Sequence, residues 1–439
     1  MQNGVFLFIL IPMDLKEIYR RFLSCSSITM DSRDVPDQSL FFALKGENFN
    51  GNRFAEEAIR KGAQYVLVDE AKYALDARYI LVDDVLSTMQ QLATHHRDHL
   101  DVNVFGITGS NGKTTTKEII TQILAKKYHT ISTQKNYNNH IGVPFTLLKM
   151  NTSHQVAVIE MGANHPGEIR FLCELARPDF GMITNIGKAH LEGFGSFEGV
   201  IRTKNEMYEY IDARNGTLFY NSDNDLLKDL LKDRSCKKID YGTSENAYCS
   251  GETVSSTPFL NLHIKGLPPV RSNLIGNYNF ENIMAGVCIG KYFEVPANRI
   301  AEAIASYTPD NNRSQVVQKA TNEIILDAYN ANPTSMKLAI DNFFNLERKQ
   351  KALILGDMFE LGEYSDKEHK NIIEVVRQHK FSSVFYIGPM FSANATSGEH
   401  TFESTGEFIT WLKKNPLKDY TILIKGSRGM ELEKVLDYL

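Results

Sequence analysis

The sequence predicts an α/β protein of three domains. These are a small N-terminal α/β domain, a central P-loop domain with a doubly wound, mostly parallel sheet, and a C-terminal Rossmann-like domain. Three observations carry that prediction. The chain has 439 residues, well beyond the size at which one hydrophobic core stops growing. Short apolar runs alternate with segments of helical periodicity over most of its length. One glycine-rich turn, between Val102 and Lys126, leads from such a run straight into such a segment.

Taken in order, the chain opens with MQNGVFLFILIPMDLKE. The apolar stretch from Val5 to Ile11 is too short to span a bilayer, and it has neither a basic flank nor a small-residue cleavage site. Met13 opens the segment that looks folded, so residues 1–12 read as an upstream extension, with a mis-assigned start codon as one explanation. Residues 13–100 alternate strand and helix (SLFFALKG, AEEAIRKGA, QYVLVDE, RYILVDD) and make the first domain. Its polar clusters, Asp31-Ser32-Arg33 and Asn50-Gly51-Asn52, are of the kind that usually serves as caps and turns.

Residues 101–310 form the largest domain. VNVFGIT reads as a buried strand and KEIITQILAKKY as a helix. Between them, Thr108, Gly109, Ser110, Asn111, Gly112, Lys113, Thr114 and Thr115 form the turn. Such a turn aims several backbone N–H groups at one point, where the helix dipole also favours an anion. Lys113 adds a full charge for the outer phosphates of a nucleotide, and the Thr114 hydroxyl is placed to ligate Mg²⁺. The common spacing would put glycine at Ile107, whereas the glycine present is Gly106. Further strands are expected from Gln155 to Ile159 and in FGMITNIG, with a helix near GEIRFLCELA. Glu160 and His190 follow apolar strands, at the edge where such sheets bind ligands. That position favours metal ligation over a role as surface or capping residues.

Residues 311–439 alternate again. The expected strands are EIILDAY, KALILGD, SSVFYIG and YTILIKG, and the expected helices are SMKLAIDNFFNLE, KEHKNIIEVVRQHK, EFITWLKKN and MELEKVLDYL. No GxGxxG follows the first strand, so a dinucleotide fingerprint is missing. The expected job of this domain is to close over a site built elsewhere.

Composition excludes several classes. A net charge of −5 argues against a nucleic-acid protein that works through phosphate contacts. The five cysteines (Cys25, Cys173, Cys236, Cys249, Cys288) are scattered and form no CxxC. Reduced thiols in a cytoplasm are expected, with no disulfide framework and no zinc site. Neither membrane insertion nor a nucleic-acid partner is expected.

The order of motifs resembles the Mur ligases of bacterial cell-wall synthesis, over nearly the whole chain from Met13 onward. In that family the loop is TGxxGKTT, which Thr108 to Thr115 fit and which explains the offset glycine. The other matching stretches are NYNNHIGVP (136–144), EMGA (160–163), NIGKAHLEGFGS (185–196), DAYNANP (327–333), LGDMFELG (355–362) and KGSRGM (425–430). They resemble most the branch that joins D-alanyl-D-alanine to UDP-N-acetylmuramoyl-tripeptide with ATP, through an acyl phosphate. The resemblance implies a sugar-nucleotide-binding domain at 13–100, an ATP-binding domain at 101–310 and a dipeptide-binding domain at 311–439. It further implies a cytoplasmic monomer.

The resemblance also distributes roles. Lys113, Glu160, His190 and Lys204 match catalytic positions. Two Mg²⁺ ions would be held by Thr114, Glu160, His190 and a carbamate on Lys204. As an ammonium Lys204 would repel Mg²⁺, whereas its carbamate is an anionic oxygen ligand, and a solvent-facing helix lysine is the plain alternative. The loop residues 108–115, Asn282, Arg313 and Asp327 match ATP contacts. Tyr278 stands where the family often has His, Asn312 where it usually has Gly, and Ala328 where Ser is frequent. Ser32, Arg33, Asn50, Gly51 and Asn52 match the sugar-nucleotide site. Asn136, Asn138, Asn139 and His140 would reach the muramoyl peptide. Asp357, Glu360, Lys425, Ser427 and Arg428 would sit near the peptide and the incoming dipeptide.

Rival readings predict different behaviour. Another ligase of this mechanism would take a single amino acid, or glutamate onto folate. A P-loop regulator or motor would turn over nucleotide with no peptide acceptor, and a non-catalytic scaffold would have no use for Lys113, Thr114, Glu160 and His190.

Overall fold

Apolar strands with helices between them build two units in the computed structural model, which describes residues 13–256, 259–310 and 312–439. The extension expected at residues 1–12 lies outside the described residues. The first unit comprises the chain up to Val104, with Ile131–Met161 and Phe171–Pro178. The second comprises Phe105–Thr130, Gly162–Arg170 and Asp179–Leu439. Both are mixed α/β, and their sheets are dominated by parallel pairings.

In the first unit, β1 (Ser27–Thr29), β2 (Ser39–Phe42), β3 (Tyr65–Val68) and β4 (Tyr79–Leu81) form a parallel sheet in that spatial order. Every residue of β2 is buried, as expected of a strand covered on both faces. Helix α1 (Leu15–Ser24) packs on α2 (Val85–Asp98), whose first turn is capped by Asp84 accepting the Ser87 N–H at 2.6 Å. Two further strands, β5 (Thr130–Ser132) and β6 (Val156–Glu160), lie side by side.

The second unit holds two sheets. In the first of them, β7 (Asn103–Thr108), β8 (Phe180–Ile183), β9 (Thr217–Asn221), β10 (Lys237–Gly242) and β11 (Cys249–Ser255) are parallel neighbours in that order. β12 (Asn261–Ile264) and β13 (Val270–Arg271) continue it antiparallel. Helix α3 (Lys113–Leu124) follows β7 and packs on α4 (Asn279–Tyr292), where Gly286 and Gly290 face Ile119 and Ile123. A Cβ at either glycine would stand 2.5 Å from an isoleucine methyl carbon, so the small residues set how closely these helices approach.

The C-terminal sheet runs β14 (Gln315–Lys319), β15 (Asn322–Asp327), β19 (Thr421–Lys425), β16 (Lys351–Gly356), β17 (Ser383–Ile387), β18 (His400–Phe402). All neighbours are parallel except β14 and β15. The expected strands and helices of this region are present, with one correction. MELEKVLDYL is not an α-helix but two 3₁₀ segments, Arg428–Met430 and Leu432–Tyr438. Glu431 between them adopts φ 51°, a left-handed conformation that interrupts helix propagation.

Candidate active site

The glycine-rich loop is held from several directions. β7 ends at Thr108, whose carbonyl accepts the Thr184 N–H at 2.9 Å. Gly109 sits at φ 141° and Gly112 at φ 78°. A Cβ at Gly109 would come within 2.0 Å of Thr184 Oγ1, and one at Gly112 within 2.5 Å of Asn282 Oδ1. Glycine is therefore required twice, by backbone angle and by space. The Ser110 hydroxyl donates to the Gly187 carbonyl at 3.0 Å and accepts the Gly187 N–H at 2.9 Å. The Asn111 N–H donates to Asn185 Oδ1 at 3.0 Å, and Thr184 Oγ1 donates to the Asn111 carbonyl at 2.6 Å. Lys113 folds back over the turn, its Nζ 2.7 Å from the Gly109 carbonyl and 3.1 Å from that of Ser110. Thr114 and Thr115 are buried in the first turn of α3. The result is a rigid concave backbone with one ammonium over it, at a helix N-terminus suited to phosphate oxygens.

The side chains expected around ATP fall in this second unit. Asn282 is buried on α4, accepting from Thr116 Oγ1 at 3.0 Å and donating to Asn279 at 2.8 Å, so its amide props the Gly112 turn. The Arg313 guanidinium stacks on Tyr329, with 3.9 Å from its carbon to the ring centroid. Asp327 and Lys425 end neighbouring parallel strands and form a 2.5 Å ion pair. Tyr278 donates or accepts at 2.7 Å with Ser314. Asn332, to which the sequence assigns no role, donates to Asn111 Oδ1 at 2.7 Å and caps helix α5 (Pro333–Asn345). DAYNANP is recognisable as a motif, yet no sequence periodicity links Asn332 to a residue so distant in the chain.

His190 does not directly follow its strand, contrary to the expectation from sequence. β8 ends at Ile183, and residues 184–189 intervene before His190 caps a short helix, α6 (Leu191–Phe194), at φ 52°. The buried His190 Nδ1 faces the Glu360 carboxylate in an ion-pair contact. The His190 imidazole holds the Glu360 carboxyl below its usual range.

Lys204 lies inside α7 (Phe197–Ala213), buried at 1% exposure, with its Nζ 3.4 Å from the Ala163 carbonyl and 5.3 Å from the Phe194 ring centroid. Burial first, and the charge on Lys113 second, push this amine well below the usual lysine range. The solvent-facing alternative is thereby excluded.

These features bear on the implied metal. Among the described residues no group of three or more His, Cys, Asp and Glu is placed to hold a metal ion. The expected ligands, Thr114, Glu160, His190 and Lys204, contain only two residues of those types. Within the second unit, the oxygen of Thr114, the nitrogen of His190 and a carbamate oxygen on Lys204, were its amine to take up CO₂, fit Mg²⁺ with phosphate oxygens completing the shell.

Within the first unit, Glu160 is the last residue of β6, buried at 1%, and Asn138 Nδ2 donates to its Oε1 at 2.8 Å. Asn139 accepts the N–H groups of Ile141 and Gly142 at 3.2 and 2.9 Å, and the carbonyls of Asn136 and His140 accept from Asn138 N–H and Gln90. Asn50 donates to Glu70 at 2.7 Å, and the fully buried Asn52 donates to Asp69 at 2.8 Å. A Cβ at Gly51 would meet the Leu44 carbonyl at 2.5 Å. Asn52 therefore shapes the turn from inside it. Arg33 is exposed and held by Asp31 through contacts of 2.9 and 2.7 Å, with the neighbouring Ser32 carbonyl bound by Lys61.

A cleft of about 420 Å³ opens at the carboxyl ends of the C-terminal strands, lined among others by Asp357, Phe359, Met390, Glu403 and Glu431. Asp357 is buried and accepts the Met390 and Phe391 N–H groups, both at 2.9 Å. Ser427 accepts the Phe359 N–H at 2.9 Å, and the Arg428 guanidinium lies 5.5 Å from the Tyr329 ring centroid.

Three family models match the chain in succession. Residues 24–97 match "Mur ligase family, catalytic domain", 107–290 "Mur ligase middle domain" and 312–428 "Mur ligase, glutamate ligase domain". The UDP-N-acetylmuramoyl-tripeptide–D-alanyl-D-alanine ligase of Bacillus subtilis is 36% identical over 423 residues, covering 93% of this chain and 92% of the relative. That of Escherichia coli is 33% identical over 427 residues, covering 94% and 93%. Among solved structures, MurF from Acinetobacter baumannii superposes with a TM-score of 0.83 at 27% identity, covering 97% of this chain and 99% of that one. MurF ligase from Thermotoga maritima in complex with ADP gives 0.82 at 27% identity, covering 95% and 97%.

Proposed function

This chain belongs to the Mur ligase family, and we propose that the side chains around its glycine-rich loop carry out the ATP-dependent joining of D-alanyl-D-alanine to UDP-N-acetylmuramoyl-tripeptide. The product is the pentapeptide precursor of peptidoglycan. The observation that carries the assignment of residues is the loop itself, with Lys113 folded over its carbonyls and Asn332 of DAYNANP bound to Asn111.

The first step is attack of the tripeptide carboxylate on the γ-phosphorus, which forms an acyl phosphate and releases ADP. Carboxylate and phosphates repel each other, so positioning and charge neutralisation matter more than a strong base. Lys113 and the loop N–H groups bind the outer phosphates, Arg313 adds a second cation, and Asp327 receives the ribose. Thr114, Glu160, His190 and a carbamate on Lys204 would hold Mg²⁺, which would supply charge withdrawal from the phosphate oxygens. In the second step the dipeptide amine attacks the acyl carbon, and phosphate leaves from the tetrahedral intermediate.

We assign the sugar nucleotide to 13–100, ATP to 101–310 and the dipeptide to 311–439. Both ATP and the sugar nucleotide are cytoplasmic metabolites, so we place the chain in the cytoplasm, working as a monomer. No helix among the described residues is long and apolar enough to cross a membrane.

The decisive assay is phosphate release from ATP and Mg²⁺ with UDP-N-acetylmuramoyl-tripeptide, with and without D-alanyl-D-alanine. Release that requires both acceptors, with the pentapeptide found by mass, is the expected result. Release indifferent to both would overturn the reading in favour of a nucleotide-hydrolysing regulator.

A further inference from the structure

Within the second unit, the segment that leads to His190 touches the C-terminal fold at several points. The Lys188 N–H donates to Thr334 Oγ1 at 3.2 Å, and a Cβ at Gly187 would meet the same oxygen at 3.0 Å. The Glu192 N–H donates to the Glu360 carbonyl at 3.2 Å. Leu191 and Phe194 share one apolar cluster with Met336, Leu361 and Ile372. In this face stands one charged pair that substrate binding does not explain. Lys188 Nζ donates to Glu368 Oε1 at 2.8 Å, and Glu368 lies on α8 (Ser365–Arg377).

The pair is asymmetric. The Lys188 side chain is 50% exposed, whereas that of Glu368 is 5% exposed. Lys188 therefore loses little hydration on docking. Glu368 gives one oxygen to Asn371 at 3.2 Å and the other to Lys188. Without the lysine, the docked arrangement would bury a carboxylate oxygen with no cation, and separation of the two folds would return that oxygen to water. Its energy thus differs between docked and separated arrangements, which is the requirement for biasing such an equilibrium.

We propose that Lys188 and Glu368 are positioning residues that latch the nucleotide-binding fold to the C-terminal fold. Latching keeps Asn332, Arg313 and Asp327 in reach of the loop that carries Lys113. The pair touches no reacting atom and acts through the docking of those residues. The activity arm of its test rests on the ligase reading, and the scattering arm does not.

The test uses the full chain as wild type, Lys188→Met, Glu368→Gln and the reversal K188E/E368K. Small-angle scattering is followed through an ADP–Mg²⁺ titration, and kcat and KM for ATP are measured with both acceptors. Lys188→Met and Glu368→Gln should need about tenfold more ADP for the same compaction and lose about tenfold in kcat/KM, the size of an ordinary coupling between two sites. Added salt should weaken compaction of the wild type and leave that of Lys188→Met nearly unchanged. Recovery in the reversed pair would add support. Lys188→Met changes a half-exposed side chain and should fold, so the proposal does not depend on the reversed variant. Compaction curves and kcat/KM of Lys188→Met that coincide with wild type would overturn the latch. Altered compaction in a protein that makes no pentapeptide would leave the latch standing and remove the ligase reading.

Discussion

The Arg313 guanidinium lies over the ring of Tyr329, 3.9 Å from its centroid, and Arg428 approaches the same ring at 5.5 Å. One aromatic side chain of DAYNANP thus collects two cations beside Asp327. Stacking fixes the plane of a guanidinium and leaves its N–H edge free for phosphate. Cation–π contacts contribute about 0.5–2 kcal/mol. Tyr329→Leu should therefore raise KM for ATP by roughly 2- to 30-fold, while Tyr329→Phe, which keeps the ring, stays near wild type. Equal KM values for the Leu and Phe variants would show that the ring does not position Arg313.

Gly112 supports a sharper prediction. Its φ of 78° and the 2.5 Å that would separate an added Cβ from Asn282 Oδ1 act together against any side chain. Asn282 cannot yield freely, because Thr116 and Asn279 hold its amide. Gly112→Ala should weaken ADP binding at least tenfold, a cost of about 1.4 kcal/mol or more, by shifting the start of α3. Calorimetric titration with ADP measures this directly, and unchanged affinity would mean that the loop tolerates the shift.

Much of this site is legible in the sequence because its signals are local. The glycine loop, its lysine and the following helix are contiguous, and glycine at a left-handed turn is a strong marker. The alternating C-terminal strands are legible for the same reason, through the apolar runs of β15, β16, β17 and β19. The antiparallel β14 and the short β18 escape such a reading, since a partly exposed QVVQK and a three-residue HTF carry little pattern. A terminal helix is expected wrongly because MELEKVLDYL has helical periodicity that the left-handed Glu431 interrupts. Lys188 and Glu368 are 180 residues apart, and no spacing rule joins such positions. The roles of Thr184, Asn185 and Asn332 arise the same way, from tertiary proximity.

Arg33 offers a test by pH. Its side-chain hydrogen bond, followed by its backbone N–H, lowers the Asp31 carboxyl from 3.8 to about 2. The folded value is depressed, so the contribution to stability is complete above the unfolded value of 3.8 and disappears as pH falls through about 2. A carboxyl-carbon NMR titration should place the Asp31 midpoint near 2 in the wild type and return it toward 3.8 in Arg33→Ala. Binding of the sugar nucleotide should draw Arg33 away and raise the Asp31 midpoint. A midpoint that ignores the nucleotide would argue that Arg33 serves only the turn.

Lys204 combines two properties that rarely coexist at a lysine. It is buried at 1% exposure, and its strongest charge neighbour is another lysine, Lys113. Both effects favour the neutral amine, and only a neutral amine has the lone pair to attack CO₂. Such an attack would form the nitrogen–carbon bond and release one proton, and Lys113 would stabilise the resulting anionic carbamate. Protein prepared in ¹³C-bicarbonate should show one carbamate carbon signal, absent from Lys204→Arg, because a guanidinium does not deprotonate in this range. Removing CO₂ from the buffer should reduce that signal and the ligase rate together, and restoring bicarbonate should recover both. A wild-type protein that is fully active without the signal would assign Lys204 a role as a neutral buried amine.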